Sequence, residues 1–189
     1  RRPMTVLVTH PGRQHSHRAA WALERAGLLA AYWSGVPATH RQLQRLPGFI
    51  RRRLRYEPID LPERRCRWFP ATPALRRLAE RTMPRDWTSW VDYYACRRFD
   101  RQVARRLRRT GAGAVLACEI SARDTFRAAS TMGLPTILDA PSLHHAAQDR
   151  LHGTADSSRL HAAILAVKDE EIRLAAHIVT VSHLARESY

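Results

Sequence analysis

The chain opens on a β-rich run, a tight turn and a helix in immediate succession, and that order recurs to its end. "MTVLVT", Met4–Thr9, is a continuous apolar strand of the kind buried on both faces of a parallel sheet. Residues 10–16 form a turn containing Pro11 and Gly12. Ser16 can cap a helix that runs to about Ala26 and stops at Gly27. Leu28–Trp33 then reads as a second strand. Further on, Trp90–Arg109 carries apolar residues at helical spacing beneath an arginine-rich face. "AVLACE" from Ala114 is a strand, and Ser121–Met132 is a helix ended by Gly133. "PTILDA" from Pro135 is another strand, and Leu160–Ala175 another helix. "HIVTVS" from His177 is the last strand, with Ser182 capping a final helix. Strands alternating with helices predict an α/β fold: a Rossmann-like parallel sheet covered by helices on both faces. The five strands should stand in the order 3-2-1-4-5 or a close variant.

Residues 36–88 break the rhythm. They hold seven of the eleven prolines, many arginines, and Trp68, Phe69 and Trp87 at intervals. They read as short helices and loops inserted at the sheet edge, so that 1–189 is one domain with an irregular basic insertion. The net charge of +15 is concentrated there. Residues 41–109 carry 20 arginines and 7 acids, a net of +13, while residues 110–189 carry 7 bases and 9 acids, a net of −2. Lys168 is the sole lysine. A basic face of this kind attracts phosphates, whether on nucleic acid, an anionic membrane or a nucleotide-linked substrate. Three cysteines without a C-x-x-C pair, Cys66, Cys96 and Cys118, predict reduced thiols and a cytoplasmic protein. No apolar run approaches the roughly 20 residues that span a bilayer.

Ligands of open α/β sheets bind at the carboxyl ends of the strands, and ionisable residues gather at those ends here. In "HPGRQHS" Gly12 lets backbone N–H groups approach an anion or sugar, and Arg13 adds a planar donor fork. The stretch is neither G-x-G-x-x-G nor a P-loop, so a dinucleotide is not expected. His10, His15 and His17 crowd the turn without a carboxylate or cysteine at ligand spacing, and no metal is expected. In "LDAPSLHHAAQDR" Asp139 ends a strand, and Ser142 can cap a short helix presenting His144 and His145. Imidazoles beside a strand-end carboxylate suit hydrogen bonding to sugar hydroxyls or proton handling. Candidate catalytic residues are therefore His144, His145 and Asp139; candidate substrate-binding residues are Gly12, Arg13, Glu119 and Ser142. "KDEE", Lys168–Glu171, reads by itself as a solvated helix turn.

The succession "VLVTHPGRQHSHRAAWALERAG", "GLPTILDAPSLHH" and "KDEEIRLAAHIVTVSHLARESY" resembles the N-terminal domain of the family-4 retaining glycosyltransferases of the GT-B fold. Lys168, Glu171, Ala175, Ile178, Val181 and Ser182 stand where that family has its K-x-x-E and A-D-x-I-x-x-V-S pattern, with Ala176 and His177 near the usual "AD". The likeness covers about two thirds of the chain and leaves out residues 36–88. It implies an acceptor-binding half, with Gly12 and Arg13 lining the interdomain cleft and the "DAPSLHH" loop on the acceptor side. The donor would be a nucleotide-sugar bound as substrate by a C-terminal domain with an E-x₇-E motif, which this chain does not contain; no cofactor is implied. The acceptor would be a sugar or a lipid-linked sugar, and the half alone would be inactive. A net +13 in residues 41–109 would dock such a protein peripherally on the anionic inner face of a membrane. The alternative is a non-catalytic module whose arginine-rich surface binds nucleic acid or an acidic partner; polar strand ends place it second.

Overall fold

The computed structural model describes residues 4–52, 57–152 and 158–189. Six strands form one parallel sheet: β1 (Val6–His10), β2 (Leu29–Ser34), β3 (Cys66–Trp68), β4 (Ala114–Cys118), β5 (Thr136–Ala140) and β6 (His177–Thr180), in the order β3-β2-β1-β4-β5-β6. All five strands expected from the sequence are present and parallel. Their order is corrected, because the third place is taken by Cys66–Trp68, which lies inside the stretch read as an insertion. Counted among the five expected strands alone, the order is 2-1-3-4-5. Three residues with no apolar alternation carry too little period to be seen. They are a strand because the edge of β2 offers unpaired backbone groups to Cys66, Arg67 and Trp68.

Helices cover both faces. On one, α1 (Ser16–Arg25) lays Ala20 beside Val6, Val8, Leu29 and Tyr32. On the other, α5 (Arg85–Ala104) and α6 (Arg123–Thr131) pack Phe99, Val103 and Phe126 onto Leu7, Trp33, Val115, Ala117 and Leu138. α8 (Arg159–Leu174) follows α6 on this side, with Val167 buried. The remaining helices are α2 (His40–Gln44), α3 (Gly48–Arg51), α4 (Ala71–Thr82), α7 (His145–His152) and α9 (His183–Ser188). Strand-body residues such as Leu7, Val8, Val115 and Leu138 are almost fully buried, and each such side chain contributes about 1.5–3 kcal/mol by leaving water. Polar residues therefore collect at the strand ends.

Two caps differ from expectation. Ser16 does not cap α1; its hydroxyl donates to the Arg13 carbonyl and bonds the Tyr32 hydroxyl, and His15 is the cap residue. Ser142 does not cap α7; its hydroxyl faces Glu119. Ser182 does cap α9, accepting from the Ala185 N–H at 3.1 Å. Gly27 and Gly133 end their helices at φ +71° and +66°, conformations glycine adopts without a Cβ penalty. Of the three aromatics singled out in residues 36–88, Phe69 is buried between Trp33 and Phe99, Trp68 donates its Nε1–H to the Gly35 carbonyl, and Trp87 is exposed. The cysteines are free thiols.

Candidate functional site

The loops after β1, β4 and β5 meet at the carboxyl end of the sheet. His10 ends β1 buried, and its Nδ1 accepts the Gly12 N–H at 2.8 Å. That acceptance places the ring proton on Nε2, and burial lowers the pKa, so the imidazole is neutral. The chain then turns through Gln14, whose φ is +35°, not through Gly12, where an added Cβ would meet only the His10 ring at ordinary contact distance. Gly12 is a close neighbour of His10 rather than the strained point of the turn. The turn delivers His15 to the start of α1. There its Nε2 lies 2.8 Å from Asp139 Oδ1 and 2.7 Å from Oδ2.

Asp139 is buried, while His15 remains part-exposed. The carboxylate accepts the Nε2–H, so the lone pair of a neutral ring is on Nδ1. This is a base held in one tautomer by a carboxylate. The charge of Arg13 acts on His17 and Tyr32. The first loop reaches the end of β5 through His15; of this pair, only Asp139 belongs to the expected set of Gly12, Arg13, Asp139, His144 and His145. His144 and His145 do not touch Asp139 through any described hydrogen bond.

A second cluster lies beside the first. Glu119, at the end of β4, receives the Tyr189 hydroxyl, the Ser142 hydroxyl at 3.4 Å and the Lys168 ammonium at 3.2 Å. Burial and the Glu119 carboxylate push the Tyr189 phenol upward, so Tyr189 stays a donor. His144 and His145 stack with ring centres 4.0 Å apart, Tyr189 stands edge-on to His144, and His145 reaches Asp169 at 3.2 Å. Burial and the neighbouring His145 lower the His144 pKa. Three ring and carboxylate groups, His144, His145 and Asp169, lie close enough to share a cation, but His144 Nδ1 is already an acceptor for the Ala146 N–H. That bond leaves the proton on Nε2, the wrong tautomer for ligating through it.

"KDEE" is not solvated as a whole. Lys168 pairs with Glu119, and Glu171 is fully buried, accepting the N–H groups of Ile120, Ala122 and Arg123 at 2.7, 2.8 and 3.0 Å. Those amides open α6, and no side chain of the helix itself caps them. Ile120 sits at φ +68°, a costly conformation for a β-branched residue, and Glu171 holds it there. Gln14 and Ile120 are the positive-φ non-glycine residues among those described, and both lie in loops of this end of the sheet. A second buried network braces the same loop: Arg97 bonds Asp100 and Asp124, and Asp100 accepts from the Asp124 and Thr125 amides.

No protein-family model matches the sequence, and no curated protein matches it. Solved structures do. A UDP-glucosyltransferase from Polygonum tinctorium capable of glucosylating indoxyl, in complex with 3,4-dichloroaniline, superposes with a TM-score of 0.54 at 12% identity, over 95% of this chain and 46% of its own. TcCGT1 in complex with UDP gives a TM-score of 0.56 at 12% identity, over 95% and 44%. Phytolacca americana UGT2, complexed with UDP-2-fluoro-glucose and pterostilbene, gives 0.52 at 12% identity, over 95% and 48%. The chain thus has the fold of one Rossmann-like half of a GT-B glycosyltransferase, and it spans less than half the length of these structures. They support that fold and not the retaining family-4 type in particular. No helix among the described residues is long and apolar enough to cross a membrane.

Proposed function

We propose that this chain is the acceptor-side half of a glycosyltransferase, with His15 as the base and Asp139 as the group that orients it. The observation that carries this reading is the His15–Asp139 pair at the strand ends of a glycosyltransferase-like domain. An acceptor hydroxyl placed at Nδ1 would attack the anomeric carbon of a nucleotide-sugar. The new C–O bond forms as the bond to the diphosphate breaks, the nucleoside diphosphate leaves, and the hydroxyl proton passes to Nδ1. Asp139 stabilises the resulting imidazolium without taking its proton. The solved neighbours with UDP and UDP-2-fluoro-glucose support the donor class. Donor binding itself belongs to a second domain, as the share of those chains left uncovered suggests.

The test is ligand-observed and protein-observed NMR on this chain with free sugars, phenolic alcohols and lipid-linked sugars. An acceptor should move the His15 ring resonances, and its binding, read from the ligand signals, should weaken in His15→Ala. Shifts confined to other surfaces, or sugar transfer from UDP-glucose by these 189 residues alone, would overturn the half-enzyme reading. In a protein carrying both halves, the anomeric configuration of the product decides the chemistry. Inversion agrees with direct attack assisted by His15. Retention, as the family-4 likeness implies, would confine His15 and Asp139 to holding the acceptor.

A further inference from the structure

The outer flank of α5 carries a feature that the transfer chemistry does not use. Arg98 and Arg101 of α5, with Arg105, Arg106 and Arg109 from the turn and the short 3₁₀ helix that follow it, line a groove of about 690 Å³. Among the described residues no carboxylate lines it. Of the three acids of α5, Asp92 pairs with Arg76 and Asp100 with Arg97, and Asp86 stands in the first turn, at the far end of the helix from Arg98 to Arg109. Among the described residues none of the five arginines is ion-paired with an aspartate or glutamate. Arg67 of β3 approaches from the sheet edge. Its guanidinium stands 5.4 Å from the Phe69 ring centre, and that of Arg106 stands 6.0 Å from the same ring. Burial, then repulsion from Arg106 and Arg109, lowers the Arg67 pKa. Like charges are being held together without a counter-charge, which costs free energy until an anion arrives.

We propose that this arginine groove is a second binding site, separate from the strand-end cleft, for a compact phosphate-rich anion of the di- or triphosphate class. Arg105, Arg106 and Arg109 follow the end of α5 on the way to the start of β4, and none of the groove's lining residues belongs to the loops that carry His15 and Asp139. The groove is concave, and its volume falls in the range of about 300–1,000 Å³ usual for small-molecule sites. A flat lipid surface would reach its rim, and a nucleic-acid strand spreads its charges along a line. A di- or triphosphate gathers several charges in one place, and each guanidinium can hold two of its oxygens.

Isothermal titration calorimetry of the 189-residue chain with inorganic tripolyphosphate, at physiological salt, tests this. One site per chain is expected, at least about ten-fold tighter than sulfate, since a single divalent ion engages fewer forks. The triple variant Arg101→Gln, Arg105→Gln, Arg109→Gln should lose at least about ten-fold in affinity while melting no lower, because like charges are removed. Arg41→Gln with Arg45→Gln, exposed bases outside the groove, should change little. In the wild-type chain, tripolyphosphate should shift the Nε–H resonances of the groove arginines, a readout that needs no variant. Equal losses in both variants, shifts elsewhere, or no preference over sulfate would overturn the proposal. So would tight binding of single-stranded RNA or phosphatidylserine vesicles without binding of tripolyphosphate.

Discussion

Nε2 of His15 hydrogen-bonds Asp139 across 124 residues of chain, joining the first loop of the sheet to the fifth strand. Neither residue is a ligand or a base by its type alone; the pair forms because α1 begins where β5 ends. Asp139→Asn keeps the shape but offers an amide where the Nε2–H needs an acceptor, so the ring is free to take the other tautomer. In a two-domain enzyme turnover should fall by about 10²-fold or more, with the melting temperature within a few degrees of wild type. Steady-state kinetics beside a thermal melt checks it; equal losses of activity and stability would make the pair a packing contact.

Glu171→Ala removes the acceptor of one buried and two part-buried amides and the group that holds Ile120 at φ +68°. An unsatisfied buried N–H costs about 1–3 kcal/mol, so the variant should lose about 3–5 kcal/mol in all. For a domain of this size that is a fall in melting temperature of about 6–20 °C. A melt within 2 °C of wild type would show that water replaces the carboxylate at little cost.

Gly35→Ala places a methyl 1.8 Å from the Pro11 carbonyl oxygen and 2.8 Å from its carbon. Both are backbone atoms, and Gly35 donates to the His10 carbonyl at 3.1 Å, so no flexible side chain can yield. The loop bearing His10, Gly12 and His15 has to move. A destabilisation of about 2–4 kcal/mol is expected in chemical denaturation, together with weaker acceptor binding. Unchanged binding would mean that the loop position is not what the site depends on.

His10 gives a pH dependence of defined sign. Burial sets its folded pKa below the ordinary value of 6.5, so the unfolded chain takes the proton first as pH falls. Its contribution to stability is complete above about 6.5 and is lost as pH drops below it. His17 and His144 act in the same direction. Glu171 acts oppositely: burial raises its pKa to about 7, so between 7 and 4.5 falling pH favours the folded state. The difference between wild type and His10→Asn isolates the first effect. Relative to the variant, wild type should lose melting temperature between pH 7.5 and 5.5; parallel curves would show that His10 is protonated in place.

The strands, the helices and the strand-end location of the polar residues follow from the sequence alone. Continuous apolar runs such as "VLV" and "AVLAC" can only be buried on both faces, and Gly27 and Gly133 mark helix ends by their backbone freedom. From these the sequence by itself determined a parallel α/β sheet with ionisable residues at its carboxyl ends. Tertiary structure decided the rest. Cys66–Trp68 is a strand only because β2 lies beside it. Lys168 and Glu171 look solvated in a charged run, yet one faces Glu119 and the other the amides of α6, because α8 packs on α6. His15 carries no periodic signal and meets Asp139 only once β1, β4 and β5 stand side by side. Periodicity reports how a residue faces its own element. Which distant side chain shares its hydrogen bond is set by how the elements pack, and in this protein the site is made of such bonds.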